Sequence, residues 1–434
     1  MRRMITVAAA GFLTAPLAAQ QPAVGGSPQA VTLQEAVRRA LQVQPAMVQA
    51  QGTLRNAHLS MLASNGEFLP TISTGGSWSR AGGTRFNSQT SQIVTTPTAS
   101  SYSGSISASV DLFTGFRRLA DRRASAATED AADAGLVNQR FQVTLLTKQA
   151  FYNAIATEEL VRVAEAQVAR ARQELQIAVD KLRAGSGTRS DSLRSAVDLG
   201  NARLALLQAQ ANLATAQANL GRQVGVDQPV RAAPDSALPP LPDTTGLRVQ
   251  VVESAPQVQQ AEAQARAAGA QVAVSRSAYW PTLNYTASNS FSGFDAPWQG
   301  TGAYTKGWNV RVSLNWTLFN GFTRERSMTS ASVARDVAEA QAADTRRGVS
   351  AQYTQQLAAL LTSFTQIDIS TAQVAAATED LRVQQERYRV GAATILDLLT
   401  SQASLTQAQV NLVQSRFNFV IARAQLEALV GRNL

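Results

Sequence analysis

The side chains that usually carry chemistry are few in this 434-residue chain and badly placed for it. His58 is the only histidine, and it lies in a polar helical stretch with no cysteine or acid at ligand spacing, so it reads as a solvated helix residue rather than a metal ligand. Glu158-Glu159 and Glu379-Asp380 are immediate neighbours, which turns their carboxylates to different sides of a helix and keeps them from working as an acid–base pair. Gly185-Ser186-Gly187 has no following Gly-Lys-Ser/Thr and comes after a helix rather than a strand, so it is a turn and not a phosphate loop. Cysteine is absent, which leaves neither a disulfide framework nor a lipid-attachment residue and suits a bacterial envelope protein. No catalytic, cofactor-binding or metal-ligating residue is expected, and the chain does not read as an enzyme.

The acids that do stand out are Asp191 and Asp397, each a few residues past a glycine turn and at the start of a helix, where the dipole and the free N–H groups favour a carboxylate. They occupy the same place in two copies of one pattern. Phe113-Thr114-Gly115-Phe116 returns as Phe319-Asn320-Gly321-Phe322, Arg183-Ala184-Gly185 as Arg389-Val390-Gly391, and Val224-Gly225 as Val430-Gly431. Upstream, Phe68-Leu69-Pro70-Thr71-Ile72 matches Tyr279-Trp280-Pro281-Thr282-Leu283, and the first copy has five extra residues between Pro70 and Phe113. A period this long is a duplicated half-protein, not a short solenoid unit.

Each copy reads as a helix, two strands, a much longer helix, a glycine turn and a last helix. The helices are expected over 32–65, 119–183 and 190–224, and again over 247–279, 324–389 and 395–430. The middle helix would be on the order of 100 Å long, and the two flanking helices laid end to end would match it. Leu199, Leu206, Leu213 and Leu220 recur every seven residues, as do Leu405, Leu412, Phe419 and Leu426, which calls for left-handed coiled-coil packing. A second row of Leu204, Ala211, Ala218 and Gly225 gives the last helix another neighbour. An ordinary antiparallel hairpin has no core large enough to cover such helices; a closed ring of them does.

Between the helices the period changes to two. Tyr102, Gly104, Ile106, Ala108, Val110 and Leu112 alternate with Ser103, Ser105, Ser107, Ser109 and Asp111, and Trp308, Val310, Val312, Leu314, Trp316 and Leu318 with Asn309, Arg311, Ser313, Asn315 and Thr317. Leu283 to Phe291 and Ile72 to Trp78 supply two weaker strands. Alternation over about ten residues with aromatics near the ends is the mark of a transmembrane β-strand, where a soluble sandwich edge would be shorter and richer in β-branched residues. The segments 80–100 and 292–306, rich in Gly, Ser, Thr and Asn, are expected to be loops. Four strands cannot close on themselves and lipid tolerates no open sheet edge, so the chain must oligomerise into a barrel of 8, 12 or 16 strands with the Ser103, Ser105, Ser107, Asn309, Arg311 and Ser313 face toward a water-filled lumen.

Met1-Arg2-Arg3, the apolar run Ile5 to Leu17 and the pair Ala18-Ala19 have the layout of a secretory signal peptide, and the run is short for a membrane anchor. The formal charge of +9 comes from arginines scattered among acids and glutamines, without a basic block, so nucleic acid is not an expected partner. The expected division is a signal peptide at 1–19, a first repeat at 20–228, a Pro-rich linker at 229–246 and a second repeat at 247–434.

Taken in this order, the residues resemble the TolC family of trimeric outer-membrane efflux and secretion channels. Thr32-Leu33, Glu35-Ala36, Ala40-Leu41 and Pro45 at the start, Leu69-Pro70 and Pro281-Thr282-Leu283 before the strands, the two Leu-Phe-x-Gly-Phe turns and Tyr388-Arg389-Val390-Gly391-Ala392-Ala393-Thr394-Ile395-Leu396-Asp397 at the second tip carry the resemblance. It implies an α+β membrane protein built from a duplicated helix–β-hairpin–long helix–helix unit. Four strands per chain would enter a shared, twelve-stranded outer-membrane β-barrel continued into the periplasm by a coiled-coil α-barrel. It also implies a homotrimer in outer-membrane lipid that serves as the exit duct of a tripartite efflux pump or type I secretion system, with a periplasmic adaptor and an inner-membrane transporter as partners. The tips Arg183, Gly185, Thr188, Arg389, Gly391 and Thr394 would touch the adaptor, and Asp397, Tyr388 and Asp191 would narrow the periplasmic end. Thr400 stands where a second acid can occur in the family, Ala393 lacks a basic side chain found in some members, and Leu182 replaces the aromatic in the first copy. The competing reading from the heptads alone is an envelope-spanning structural coiled coil or adhesin, which has no use for paired lipid-facing hairpins.

Overall fold

Two helices of 67 residues each, one per repeat, set the length of the molecule. The computed structural model of the chain describes residues 30–233, 239–242, 253–294 and 304–434. The signal segment 1–19 and much of the 229–246 linker, at 234–238 and 243–246, lie outside the described residues. In chain order the elements are β1 (Ala30–Val31), α1 (Leu33–Val43), α2 (Pro45–Gly66), β2 (Thr71–Asn87), β3 (Gln92–Phe113), α3 (Arg117–Arg183), α4 (Arg189–Val224) and β4 (Arg231–Ala232), followed by α5 (Pro256–Arg276), a 3-10 turn (Ser277–Tyr279), β5 (Thr282–Phe294), β6 (Tyr304–Asn315), α6 (Thr323–Arg389) and α7 (Ile395–Val430).

The helix expected over 32–65 is two helices. Pro45 has no N–H to give to the preceding turn and disfavours helical ψ at the residue before it, so Gln44 turns extended (ψ 128°) and α2 restarts at Pro45. The same break precedes Pro256 in the second copy, where Ala255 has ψ 128° and α5 begins; the portion of the 247–279 helix at 247–252 lies outside the described residues. The break is where α4 arrives. Gln44 donates from its amide to the Gln223 carbonyl at 2.6 Å, and Gly225, left-handed at φ 76°, packs on Val43. In the second copy Gly431 meets Pro256, where a Cβ would come within 2.7 Å of the proline ring. Two shorter helices thus stack end to end beside each 67-residue helix, which at about 1.5 Å per residue spans roughly 100 Å.

The core gathers at these joints rather than along the whole rod. Phe151, Ala154, Ala216, Leu220, Val224, Val230 and Val31 are buried together in the first copy, and Val349, Tyr353, Leu360, Phe419, Leu426 and Val258 in the second. Each fully buried Leu or Phe contributes about 1.5–3 kcal/mol, so these two clusters hold the joints, and a third, Leu381, Tyr388, Ile395, Leu398 and Leu405, holds α6 to α7 at the far end. The parallel pairing of β1 with β4 adds Val31 and Ala232 to the first cluster. Away from them the helices touch through alanine, as the buried row Ala164, Ala171 and Ala178 of α3 shows.

The four long strands form one antiparallel sheet in the order β2-β3-β5-β6. Directly opposed residues share a face, so the register Ile72↔Ala108↔Ala287↔Val310, offset along the ladder by Ile106↔Asn289↔Trp308 and Val110↔Tyr285↔Val312, collects the apolar residues on one side. Ser107↔Ser288↔Asn309 and Ser109↔Thr286↔Arg311 collect the polar ones on the other, where Ser73–Ser107, Ser77–Ser103 and Ser79–Ser101 exchange hydroxyl hydrogen bonds at 2.7–2.9 Å. The first expected loop is not a loop. Residues 80–100 continue the β2–β3 ladder to Asn87↔Gln92, with an irregularity at Gly82 and a turn over 88–91, so the five extra residues of the first copy lengthen a ladder. In the second copy pairing reaches Gly293↔Tyr304, inside the expected 292–306 loop, and residues 295–303 lie outside the described residues.

Each strand-to-helix turn uses two consecutive left-handed residues, Gly115-Phe116 and Gly321-Phe322. A phenylalanine there costs about 1–2 kcal/mol, and Phe116 is held by edge-to-face packing on Phe113 at 5.2 Å and Trp280 at 5.8 Å. A Cβ on Gly115 would lie 2.7 Å from the Ser277 carbonyl, whereas Gly321 faces open space.

Because the natural chain has no cysteine, the register can be read chemically. Single cysteines at Ser105 and Ser107 should react with a membrane-impermeant thiol reagent in the assembled protein, and Ile106→Cys should not. Reactive Ile106→Cys with silent serine positions would mean that the two faces are exchanged.

Candidate channel lining and periplasmic tips

The two ends of each 67-residue helix carry everything the sequence marks as functional. At one end is the sheet, whose polar face carries Ser103, Ser105 and Ser107 of β3 and Asn309, Arg311 and Ser313 of β6, with Ser107 aligned to Asn309 through Ser288 of β5. Asn284 donates to Asp111 at 2.8 Å and to Ser109 at 3.2 Å on that same face. The opposite face is uncovered: Ile72 is 76 % and Trp308 81 % exposed.

At the other end are the tips. Arg183 closes α3 and pairs with Asp180, and Arg389 closes α6 and pairs with Glu386 at 2.9 Å. Gly185 (φ 75°) and Gly391 (φ 82°) take the left-handed position that ends each helix, with Ser186 N–H bonding back to the Lys181 carbonyl and Ala392 N–H to that of Arg387. Thr188 and Thr394 then start the next helices with full capping boxes. The threonine hydroxyl accepts from the backbone of Asp191 or Asp397, and the aspartate accepts from the threonine N–H at 3.3 and 2.9 Å. Hydrogen bonds from Thr394, with Arg387 nearby, hold the Asp397 carboxyl below its usual range, so it stays ionised. The structure therefore gives both aspartates a capping role and leaves Asp397 exposed at the tip.

Tyr388 is buried beneath the tip, not presented at its surface. Its ring carries Lys181 Nζ at 4.1 Å from the centroid, and Lys181 also donates to the Tyr388 carbonyl. Burial, with the Asp191 and Glu174 carboxylates nearby, raises the phenol, whose hydroxyl finds no hydrogen-bond partner among the described residues.

One residue the sequence reading missed lies just above. Glu174 of α3 is 2 % exposed, and desolvation followed by the neighbouring Asp198 of α4 pushes its carboxyl up to about 7. Arg170, one turn earlier, and the amide of Gln385 on α6 act in the opposite sense. Gln402 of α7 is assigned with its amide nitrogen toward Glu174, because its oxygen would otherwise face the carboxylate. Arg170 reaches across to Thr406 at 3.3 Å on α7. Four helices thus meet on one buried acid. The sequence held a signal for it: Glu174 sits three residues past Ala171 and four before Ala178, in the buried row of an otherwise small-residue seam.

His58 does have an acidic neighbour, Glu129 at 2.8 Å across α2 and α3, which a search for local spacing could not find. Among the described residues no group of three or more His, Cys, Asp or Glu could hold a metal ion, and no helix is long and apolar enough to cross a membrane.

The sequence profile described as outer membrane efflux protein matches residues 18–226 and 247–432. The outer membrane efflux protein BepC of Brucella suis is 26% identical over 333 residues, covering 74% of this chain and 70% of that protein. Among solved structures, CusC superposes with a TM-score of 0.79 at 18% identity over 92% of both chains. The Campylobacter jejuni CmeC outer membrane channel gives 0.77 at 17% identity over 92% of this chain and 85% of that one.

A buried acid raised to about 7 binds a proton that the unfolded chain, titrating near 4.5, releases earlier. Its ionisation therefore costs stability progressively as pH rises from about 4.5 to 7, by an amount on the order of 3 kcal/mol. Glu174→Gln should raise the thermal unfolding midpoint at pH 8 and lose that advantage at pH 5. A gain of equal size at both pH values would show that Glu174 is not the titrating group.

Proposed function

The chain belongs to the outer membrane efflux protein family, and on that premise we propose that three copies assemble head to tail into a twelve-stranded barrel continued by a closed tube of helices. The protein is an outer-membrane exit duct of a tripartite efflux pump or secretion system, with its helices extending into the periplasm. It conducts substrate passively, as a duct whose lining is a face of serine, asparagine and arginine side chains open to water. The observation that carries the assembly is the asymmetry between the duplicated junctions. The first strand-to-helix turn packs against the start of the second repeat, at Ser277 and Trp280, while its copy at Gly321 meets nothing. Likewise α7 packs on both α6 and α3, whereas α4 leaves Leu193, Val197, Leu204 and Leu207 more than half exposed. Each element pairing that runs from the first repeat to the second inside the chain, β3 with β5, α3 with α5 and α3 with α7, has a counterpart that would run from the second repeat to the first repeat of a neighbour, although single pairs such as Lys148–Glu427 are not repeated.

In this reading the Ser103, Ser105, Ser107, Asn309, Arg311 and Ser313 face lines the lumen and the apolar face meets lipid, since water is the better solvent for hydroxyls and hydrocarbon for exposed tryptophan and valine. The turns at Arg183, Gly185 and Thr188 and at Arg389, Gly391 and Thr394 meet the periplasmic adaptor, which links the duct to an inner-membrane transporter. Asp397 contributes one carboxylate per chain to a ring at the periplasmic constriction, with Tyr388 and Asp191 in its support. The exposed, ionised carboxyl of Asp397 supports that placement.

The duplication makes the closure testable at one pair. Ser107 faces Ser288 inside the chain, and the repeat offsets carry these residues to Ser313 and Ser77. A Ser313→Cys/Ser77→Cys variant treated with a short thiol crosslinker should give covalent dimers and closed trimers, and Ser313→Cys/Ser103→Cys should not. Cross-linking of both variants alike would remove the head-to-tail register. At the constriction, Asp397→Asn keeps a good cap but removes the charge, so cation preference in planar bilayers should fall several-fold with assembly intact. Unchanged selectivity in a correctly assembled variant would leave Asp397 as a capping residue alone.

A further inference from the structure

Where the sheet gives way to helices, a cleft of about 310 Å3 opens between the start of α3 and the end of α5. Phe116, Leu119, Ala273 and Trp280 form its apolar wall, and Arg123 and Arg276 line it as well. The wall is continuous with the apolar face of the sheet. Phe113 is paired with Leu283 on that face, Phe116 packs edge-to-face on Phe113, and Trp280 on Phe116. The cleft also lies in the middle of the chain's contribution to the assembly. β3 and β5 are the inner strands of the sheet, and α3 and α5 are its inner helices, so the unpaired edges that await a neighbour are elsewhere.

The arginines are what set this cleft apart. Neither Arg123 nor Arg276 makes an ion pair or a side-chain hydrogen bond among the described residues, whereas Arg118 donates to the Glu67 carbonyl at 3.0 Å and Arg324 pairs with Glu325 at 2.9 Å; Arg122 and Arg326 are also unpaired, but only Arg123 and Arg276 line this cleft. The repeat shows that the pair is not a requirement of the fold. At the corresponding positions of the other junction stand Thr329 for Arg123, Asn65 for Arg276, Glu325 for Leu119 and Arg326 for Ala120, so that junction lacks this pair of guanidiniums and sets an acid beside the one it has. Two unpartnered guanidiniums directly below a surface suited to hydrocarbon match an amphiphile with an anionic head. Guanidinium takes phosphate oxygens in pairs, and the rings and Leu119 suit the glycerol and first methylenes of an acyl chain.

We propose that this cleft is a binding site for a glycerophospholipid of the periplasmic leaflet, one per chain, with Arg123 and Arg276 on its phosphate and Phe116, Leu119 and Trp280 along its acyl chain. The site rests on the reading that the apolar sheet face is in lipid. It would fix the depth of the barrel in the membrane at the level where the rigid tube begins, because tilting or sinking the molecule would pull the arginines off the phosphate plane.

The test is native mass spectrometry of the assembled full chain in mild detergent, incubated with phosphatidylglycerol or with a diacylglycerol of the same chains. One phosphatidylglycerol per chain should be retained and diacylglycerol should not, with excess inorganic phosphate failing to displace the lipid. Arg123→Ala/Arg276→Ala should cut retention roughly tenfold or more, as expected for losing charge-assisted hydrogen bonds, whereas Arg123→Lys/Arg276→Lys should keep part of it. Leu119→Glu, which installs the acid of the other junction, should expel the lipid without removing either arginine. Equal retention by wild type and both the alanine and glutamate variants overturns the proposal, as does equal binding of diacylglycerol. Displacement by inorganic phosphate would make this a free-anion site instead. Membrane insertion of each variant is followed separately by protease resistance in vesicles, so loss of the lipid with insertion intact leaves the duct reading standing.

Discussion

Backbone groups at a sheet edge have no partner in lipid, and that one deficit organises this chain. β2 and β6 each present an unpaired edge, and an N–H or C=O left without a hydrogen bond in hydrocarbon costs several kcal/mol. Four strands of these lengths cannot curl onto themselves, so the deficit is met by other copies. The duplication makes this economical in design: the β3–β5 pairing inside the chain is a template for the β6–β2 pairing between chains, and the same holds for α7 on α3 and α4 on a neighbour's α6. A half-protein that had learned to pair with itself needs no new interface to close a ring.

The helical tube follows from the same closure. Its walls are one helix thick, so there is no globular core, and cohesion comes from clusters at the joints where α1 and α4, or α5 and α7, meet the long helices, and from one between α6 and α7 near the tip. Elsewhere alanine seams bring the backbones close at little gain per residue. Polar groups buried in so thin a wall matter more. Around Glu174, carboxylate, guanidinium and amide groups from α3, α4, α6 and α7 share one small volume close to the tips. A buried acid raised to about 7 makes the packing at this level depend on pH, in a wall that just below it is apolar at Leu381, Tyr388, Ile395, Leu398 and Leu405.

Much of this was legible in the chain because its periods are long and clean. The boundaries expected for the last helices, 190–224 and 395–430, fall within a residue of α4 and α7, since a heptad of leucines ended by Val-Gly leaves little freedom. The strand faces were legible wherever one side meets hydrocarbon. Residues 80–100 read as a loop for the converse reason: glycine, serine and threonine interrupt the alternation there, and the few apolar residues, Phe86, Ile93 and Val94, are too scattered to restore it, while pairing continues. The break before Pro45 was written in the sequence and overridden by the helical pattern on either side of it. The spacing of Glu174 from Ala171 and Ala178 marks it as inward-facing, but its partners and the His58–Glu129 pair were not legible, because they exist only where helices distant in sequence are laid side by side. The assignment of Tyr388 to the narrow end depends on an aromatic beside a tip; in the fold that ring is packed inward under Lys181.

Closure by identical copies is the condition on which this fold rests. Its most direct measurement is the mass of the detergent-solubilised, folded protein by light scattering with the detergent contribution subtracted. Three chains of 46.1 kDa, less any signal segment removed on export, are the result expected. A folded, membrane-inserted monomer would contradict it, because a stable four-strand sheet with both edges bare in lipid would mean that the constraint on which the structure is built does not operate.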